Sequence, residues 1–269
     1  ETRKQIMPIP LILLPPSEGK SSGGDGLPWS KSKQSFPELE SARKKVIKAL
    51  KIAMKSPIED RSKLLGVGEA KTDEATKANL SVDTGKTLQA IDRYTGVLYD
   101  ALEYGTLSTK LKKRVDSQVI IFSGLWGVLR PGDRIPDYKL KMGAKLSTLG
   151  KPSTFWRPLI SESLTQAASG VVWDLLPNEH SAGWDSSIAG KKIRVSFLDD
   201  VIKNKKRALM TVSHWNKLLK GSLVRFLAES QIDNPSGLKS FKHPEGYTYR
   251  SDLTVEEGSF VDVFLVAKR

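Results

Sequence analysis

Polar side chains suited to anion binding and proton transfer occur in three separate parts of this sequence, each directly after an apolar run. The candidates are Ser17, Glu18 and Lys20 in the first part, Arg130, Asp133 and Tyr138 in the second, and Asn178 and Glu179 in the third. Hydroxyl, carboxylate, amide and ammonium groups brought together form the kind of polar site in which enzymes work. One hypothesis is therefore an enzyme of unknown reaction that acts on a nucleotide or a nucleic acid component.

The second part belongs to a long polar stretch, residues 123–143, in which glycines and prolines alternate with charged side chains. It follows the apolar run 119–122, so we interpret it as a long loop that begins at the end of a buried strand. Glycine permits unusual backbone angles and proline fixes φ, so this loop is expected to hold Arg130 and Arg134 in fixed directions. The alternative is a structural loop whose Arg and Asp side chains pair with each other.

The first part follows residues 11–14, a wholly apolar run that predicts a buried strand. The loop after it, residues 15–26, offers hydroxyls, a cation and glycine amides, a mixture that suits a phosphate or carboxylate. It is not a nucleotide triphosphate loop, because only Gly19, Lys20 and Ser21 match that spacing, and no cofactor is predicted. A flexible linker is the alternative interpretation.

The third part, residues 177–180, follows the predicted strand 171–176. Ligands of open α/β sheets bind near the carboxyl ends of strands, so all three parts are expected to meet in one cleft. A turn that caps a helix is the alternative for residues 177–180.

Two helices with a glycine-rich turn are predicted at about residues 57–80. Gly66, Val67 and Gly68 resemble the hairpin of a helix-hairpin-helix unit, with Lys63 and Lys71 on either side. Such glycines let the backbone approach a DNA phosphate, and contacts of this kind position a duplex without reading its bases. A plain corner between two helices is the alternative.

The net charge is the unusual feature of the composition. The 269 residues carry a formal charge of +13, which favours a polyanionic partner such as double-stranded DNA, bound mainly through its phosphates. A lysine-rich surface that only confers solubility is the alternative. The chain has no cysteine, and its histidines, His180, His214 and His243, are scattered, so no metal site is predicted and direct sequestration of iron is disfavoured.

Strand and helix patterns alternate along the chain, which predicts an α/β fold with a mixed sheet and flanking helices. Helices are predicted at residues 37–55, 88–102, 107–114, 154–168 and 215–230, further strands at 193–198 and 208–212, and an antiparallel pair from 241–250 and 260–266. One domain over residues 7–269 is expected, with residues 1–6 not native if Met7 is the initiator. We expect a cytoplasmic monomer without a membrane span, since no apolar run approaches about 20 residues.

Several motifs together resemble the YaaA family of bacterial peroxide-stress proteins, and the resemblance covers about residues 11–268. The motifs are Leu-Pro-Pro-Ser-Glu-Gly-Lys at 14–20, Ser-Gly-Leu-Trp-Gly-Val-Leu-Arg-Pro at 123–131 with Ile-Pro-Asp-Tyr-Lys-Leu-Lys-Met-Gly at 135–143, Phe155 and Trp156, Asn178 and Glu179, residues 197–199 and residues 245–247. Trp126 stands where the family usually has tyrosine, and His180 where a phenol is common.

The resemblance implies a cytosolic protein that binds DNA and limits oxidative damage, in association with lowered free intracellular iron. It also implies one compact α/β fold with a helix-hairpin-helix element beside a basic cleft. The hairpin then falls on residues 66–68. The cleft motif falls on residues 17–20 and on Arg130, Asp133 and Tyr138.

Overall fold

The computed structural model describes residues 9–203, 206–212 and 215–269. Met7, the first six residues and His214 lie outside the described residues. The fold is α/β with a mixed sheet and flanking helices, as predicted.

The strands are β1 Leu11–Leu14, β2 Leu88–Gln89, β3 Val119–Ser123, β4 Gly127–Leu129, β5 Arg134–Ile135, β6 Val171–Asp174, β7 Lys191–Lys203, β8 Lys206–Thr211, β9 Thr248–Tyr249, β10 Val255–Glu257 and β11 Phe260–Lys268. The α-helices are α1 Glu40–Ala53, α2 Ile58–Leu65, α3 Glu69–Leu80, α4 Ala90–Arg93, α5 Val97–Leu102, α6 Thr109–Gln118, α7 Pro152–Leu164, α8 Asn178–Ser181 and α9 Asn216–Ser230. Short 3₁₀ helices cover Trp29–Lys31, Pro37–Leu39, Tyr104–Thr106, Ala167–Ser169, Ser186–Ile188, Pro235–Ser240 and Ser251–Leu253.

Strand β1 lies at the centre of the main sheet, whose order is β10-β11-β7-β6-β1-β3-β4. It pairs in parallel with β3 on one side, where Ile12 faces Val119, and with β6 on the other, where Leu11 faces Val172. All four residues of β1 are buried, because a parallel strand covered on both faces needs apolar side chains throughout. The predicted strand at residues 11–14 is confirmed.

The stretch after β3 is not one long loop, and that prediction is wrong. Strand β4 returns antiparallel along β3, with Ile121 opposite Leu129 and Ser123 opposite Gly127. Gly127 has φ of +74° and lies against the Trp156 ring, where a Cβ would come within 2.9 Å of Cε3. Glycine permits the positive φ that this tight reversal requires. The many charged residues of the stretch gave no sign of a short hairpin.

The prediction of one long helix at residues 88–102 is also wrong. Leu88 and Gln89 form strand β2, which pairs with β5, and the remainder is divided into α4 and α5. Gly96 has φ of +102° and interrupts the helix, while the amide of Thr95 donates to Gly19 O at 3.1 Å. The spacing of apolar residues by three and four does not detect such a break.

Most other predicted elements are confirmed with shifted ends. Helix α1 and the 3₁₀ turn before it account for residues 37–55, and α6, α7 and α9 occur where helices were expected. Of the antiparallel pair predicted from residues 241–250 and 260–266, the pairing of β9 with β11 is confirmed. The main partner of β11 is β7, which runs parallel to it.

A buried arginine joins α1 to the β3–β4 hairpin. Arg43 is 1% exposed, and its guanidinium donates to Trp126 O at 3.0 Å and Val128 O at 2.9 Å. It also reaches Ser35 O at 3.2 Å. One side chain therefore satisfies three backbone carbonyls that the hairpin and its neighbours leave without partners.

We predict that Arg43→Ala lowers the free energy of unfolding by about 3 kcal/mol or more, because three buried acceptors lose their donor. Lys45→Ala, on the exposed face of the same helix, is the control and should change stability by no more than about 0.5 kcal/mol. Urea denaturation at pH 7 measures both. Similar small losses in the two variants would contradict this role of Arg43.

Candidate functional site

The carboxyl ends of β1, β3 and β6 lie at one edge of the sheet. From β1 the chain continues to β3 on one side, and from β6 it continues to β7 on the other. The loops after β1 and β6 therefore leave in opposite directions, and a crevice opens between them. Open α/β sheets bind their ligands at such a point, where the strand order reverses.

Three adjoining cavities occupy this crevice, and together we call them the cleft. The hairpin-side cavity, about 470 Å³, is bordered by residues 66–68. The inner cavity, about 110 Å³, has His180 on its wall, and the β6-side cavity, about 390 Å³, is bordered by residues 95–99. Glu18 lines all three cavities, so the loop after β1 runs through the middle of the cleft.

The loop after β1 is attached to the segment before α5 along its length. The amide of Ser21 donates to Arg93 O at 2.8 Å, and that of Thr95 donates to Gly19 O at 3.1 Å. The buried guanidinium of Arg93 donates in turn to the carbonyls of Ser21 and Gly23. The alternative of a flexible linker is therefore excluded for residues 19–23.

Lys20 lies between this loop and two aromatic rings. Its Nζ donates to Ser17 O at 3.2 Å and lies 4.4 Å from the ring centroid of Tyr138 and 5.6 Å from that of Tyr94. Burial lowers the pKa of Lys20 to about 8, which Asp137 and Glu18 offset only in part. A lysine of this kind loses its proton at a much lower pH than an ordinary lysine does.

The Tyr138 hydroxyl belongs to a buried chain of hydrogen bonds. It lies 2.7 Å from Ser123 Oγ and 2.6 Å from the Tyr94 hydroxyl. Ser123 Oγ already accepts from the amides of Leu125 and Trp126, so it donates its own proton to the Tyr138 hydroxyl, and either phenol can be the donor between Tyr138 and Tyr94. Burial raises the pKa of Tyr138 to about 12 and that of Tyr94 well above its usual value, so both phenols stay protonated at neutral pH.

Glu18 is held by two lysines from the far wall of the cleft. Lys139 Nζ lies 3.1 Å from one carboxylate oxygen and Lys141 Nζ lies 3.2 Å from the other. Burial on its own raises the pKa of Glu18, but the two lysines outweigh it and lower that pKa. Glu18 is thus an ionised carboxylate at neutral pH.

The third predicted cluster reaches the cleft only in part. Glu179 lines the inner cavity and accepts from the amide of Gly143, and His180 lies beside it. Burial lowers the pKa of His180, and its Nδ1 has no hydrogen-bond partner among the described residues. Asn178 instead accepts from Arg194 at 2.7 Å and does not line the three cavities.

Helices α2 and α3 flank Gly66, Val67 and Gly68, which fits both a helix-hairpin-helix unit and a plain corner between two helices. Gly66 ends α2 with φ of +62°, and a Cβ there would lie 2.7 Å from Lys141 Nζ. Gly68 precedes α3 with ordinary backbone angles and open space around it. Lys71 lines the hairpin-side cavity, whereas Lys63 is exposed outside it. That this hairpin contacts DNA stays a prediction.

The placement of Arg130 and Asp133 in the cleft is wrong. Because β4 returns along β3, Arg130 lies at the amino end of β3, where its guanidinium donates to the carbonyls of Ser117 and Val119. Asp133 is buried and accepts from the amides of Ser35 and Arg130, at 2.7 and 2.8 Å.

Arg134 also lies away from the three cavities. It pairs with Asp25 at 2.7 Å. The structural alternative, in which the Arg and Asp side chains of this stretch pair with each other, does not describe residues 130–134 either. The side chains of Arg130 and Asp133 bond to backbone groups, and Arg134 pairs with Asp25 outside the stretch. Within the stretch, the residues that line the cleft begin at Asp137.

Comparison with known proteins supports the family resemblance that the motifs indicate. The chain matches the family model described as peroxide stress protein YaaA over residues 11–253. It belongs to the YaaA family. A UPF0246 protein of Streptomyces coelicolor is 35% identical over 253 residues, covering 92% of this chain and 95% of that protein. One from Corynebacterium glutamicum is 35% identical over 254 residues with the same coverage, and one from Francisella tularensis is 28% identical over 221 residues, covering 80% and 87%.

Among the residues of this YaaA family member that the sequence reasoning did not single out, Lys139, Lys141 and Tyr94 contact Glu18 or Lys20. Lys139 and Lys141 flank buried Leu140, and the alternation of an extended segment indicates that both point the same way. Tyr94 had no such signal, because it fell inside a wrongly predicted helix. Trp126, where the family usually has tyrosine, packs in the core at 5.2 Å from Trp29 and does not line the cleft.

Charges of both signs line the cleft of this YaaA family member. Within the described residues its walls carry the lysines Lys20, Lys71, Lys139, Lys141 and Lys217 and the carboxylates Glu18, Glu74, Asp137 and Glu179. The excess of +13 therefore resides mainly on other surfaces. A nearly balanced lining is typical of a site that recognises or transforms one group rather than one that only attracts a polyanion.

The described residues contain no group of three or more His, Asp or Glu side chains arranged to hold a metal ion. Among the helices of the same residues, none combines the length and the apolar character that crossing a bilayer requires.

The lowered pKa of Lys20 predicts a pH dependence of stability. The folded value is about 8 and the ordinary value is 10.5, so between these pH values the unfolded chain binds more protons. The free energy of unfolding of the wild type should therefore rise, relative to that of Lys20→Met, as pH increases from 8 to 10.5. Urea denaturation across this range measures the difference. A constant difference would contradict the desolvation of Lys20.

Proposed function

We propose that this protein acts in the cytoplasm, binds double-stranded DNA through its phosphates and protects it during peroxide stress. The observation that carries the proposal is that the backbone of the hairpin, residues 66–68, borders the same cavity as Lys20 and Lys71. Membership of the peroxide stress family supplies the biological setting.

The hairpin suits a phosphate because its backbone is open at one position. A Cβ on Gly68 would meet no atom within 4 Å, and the twelve-residue helix α3 begins at the next residue. Backbone amides at such a helix start donate to anions, and the helix dipole adds to the attraction. Glu69 in the first turn opposes this, so the exposed Lys63 and Lys71 carry much of the attraction.

Protection of DNA, rather than storage of iron, explains how damage linked to free intracellular iron is limited. The sequence has no cysteine and only three scattered histidines, so carboxylates alone are left as ligands. A protein that occupies the phosphate backbone acts on the target of the damage. A monomer is sufficient for this function.

The lining of the cleft favours a second candidate function, an enzyme that acts on a nucleic acid component. A phosphate-binding surface has no use for Glu18, Asp137 and Glu179, which lie among its lysines. It also has no need of a lysine whose pKa burial lowers to about 8. The two functions are compatible if the hairpin holds the backbone while the cleft receives a sugar or base.

We predict that Lys63→Glu/Lys71→Glu weakens binding of a 30-base-pair duplex at least tenfold at 0.1 M salt. Each lost phosphate contact should reduce the slope of log affinity against log salt by about 0.9, so the slope should fall by about 2. Fluorescence anisotropy over a salt series measures both quantities.

The matched control is Lys110→Glu/Lys113→Glu, which makes the same change in net charge on two exposed lysines of α6. This helix leads into the amino end of β3, at the edge opposite the cleft. Equal weakening by both pairs would mean that binding follows net charge, and the hairpin would be removed from the proposal.

Gly68→Ala tests the close approach of a phosphate more directly. The residue has φ of −68° and its Cβ would enter open space, so the melting temperature should be unchanged within about 2 °C. Duplex affinity should fall about threefold to tenfold if a phosphate occupies that space. Unchanged affinity together with unchanged stability would contradict a backbone contact at this residue.

A further inference from the structure

Among the described residues, Lys20 has no carboxylate partner, which distinguishes it from Lys139 and Lys141 in the same cleft. Lys139 and Lys141 both pair with Glu18, at 3.1 and 3.2 Å. For Lys20 Nζ, the described residues supply one hydrogen-bond acceptor, Ser17 O at 3.2 Å, and no carboxylate oxygen within 4.0 Å. Its Nζ lies 4.4 Å from the ring centroid of Tyr138, and Asp137 and Glu18 attract its ammonium form from beyond ion-pair distance.

The amine is also accessible from two directions. Lys20 lines both the hairpin-side cavity, about 470 Å³, and the inner cavity, about 110 Å³. The ring of Tyr138 lies under Nζ at 4.4 Å and is itself fixed by hydrogen bonds to Ser123 and Tyr94. A reactive group that enters the cleft therefore meets a primary amine held in one place, which is the geometry that a nucleophile requires.

The protonation state fits the same role. With a pKa of about 8, about half of the Lys20 side chains are neutral at pH 8, against well under about 1% of ordinary lysines with a pKa of 10.5. Only the neutral amine has the free electron pair that attacks carbon. Lysines activated in this way by desolvation form imines with carbonyl compounds.

We propose that Lys20 is a nucleophile that condenses with an aldehyde, and that its substrate is the open-chain deoxyribose of an abasic or oxidatively damaged position in DNA. The identity of the substrate rests on the proposed DNA binding, whereas the amine chemistry does not. The hairpin would hold the phosphate next to the sugar, and the 470 Å³ cavity has room for one sugar unit.

The condensation needs no oxidant, reductant or cofactor. Nζ donates its electron pair to the aldehyde carbon, and one proton passes from the nitrogen to the carbonyl oxygen to give a carbinolamine. Loss of water, with the second N–H proton, then leaves the C=N bond of an imine. Water is the only product released, and hydrolysis reverses the step.

Reductive trapping tests the proposal. Purified protein at pH 7.5 is incubated with a labelled duplex carrying one abasic site and sodium cyanoborohydride, which reduces an imine to a stable secondary amine. A covalent protein–DNA band should form, and mass spectrometry of the digested band should place the link on Lys20. An intact duplex of the same sequence should give no band.

Lys20→Arg and Lys20→Met should reduce the yield at least tenfold, because neither side chain has a primary amine. The control is Lys113→Arg on α6, which should keep the wild-type yield. The initial rate for the wild type should rise as pH goes from 6.5 to 8.5, in line with loss of the Lys20 proton. A wild-type yield in both Lys20 variants, or a link mapped to another lysine, would overturn the proposal whatever the stability of the variants.

A second substrate separates this proposal from the DNA-binding proposal. Free 2-deoxyribose 5-phosphate has the same aldehyde without a duplex, and its capture should survive Lys63→Glu/Lys71→Glu, whereas capture of the abasic duplex should fall at least tenfold. If that variant captures the abasic duplex as well as the wild type does, DNA binding by the hairpin is contradicted, whereas the amine chemistry is not. If neither substrate is captured through Lys20, the amine chemistry is contradicted. The affinity for an intact duplex then still tests DNA binding by the hairpin.

Discussion

The hydroxyl of Tyr138 is the contact on which the interior of the cleft depends. It joins Ser123 at the end of β3 to Tyr94 in the segment between β2 and α5, and its ring supports Lys20 from the loop after β1. A buried hydroxyl without a partner costs about 1–3 kcal/mol, so the three segments are stable together and less stable apart. The position of the lysine amine is therefore a consequence of core packing and does not require a bound ligand.

The sequence predicted the parts of the fold that follow from short, uniform patterns. Residues 11–14 and 119–122 are continuous apolar runs, and such runs have few alternatives to a buried strand. Strands β1 and β6 are parallel neighbours, so the polar residues after β1 and those near residue 180 had to come close together. This much of the site was predictable from residue order and strand direction.

What the sequence did not show depends on contacts between distant residues. Arg130 and Asp133 have the types expected of site residues, but the reversal at Gly127 carries them to the other end of β3. At that reversal Gly127 packs against the Trp156 ring, which lies far along the chain. Tyr94 was hidden for a related reason, because Gly96 breaks a pattern that otherwise fits one long helix. Apolar spacing reports which side chains are buried and does not report where the backbone turns.

The distribution of charge separates attraction at a distance from recognition at close range. Most of the net +13 lies outside the cleft, on surfaces such as the lysine-rich outer face of α1. Charges of this kind raise the local concentration of a polyanion within about 10 Å of the surface at ordinary salt. Inside the cleft the signs are nearly balanced, so selection there depends on the placement of individual groups.

The attachment of residues 19–23 to Arg93 and Thr95 has a kinetic consequence. A segment already secured by backbone hydrogen bonds gives up little conformational entropy when a ligand arrives, so more of the contact energy is retained as affinity. A ligand then binds to a rigid surface. The association rate is set by diffusion and electrostatic steering, because residues 19–23 do not have to rearrange first. A binding surface that is already ordered therefore adds no slow step to the encounter with its ligand.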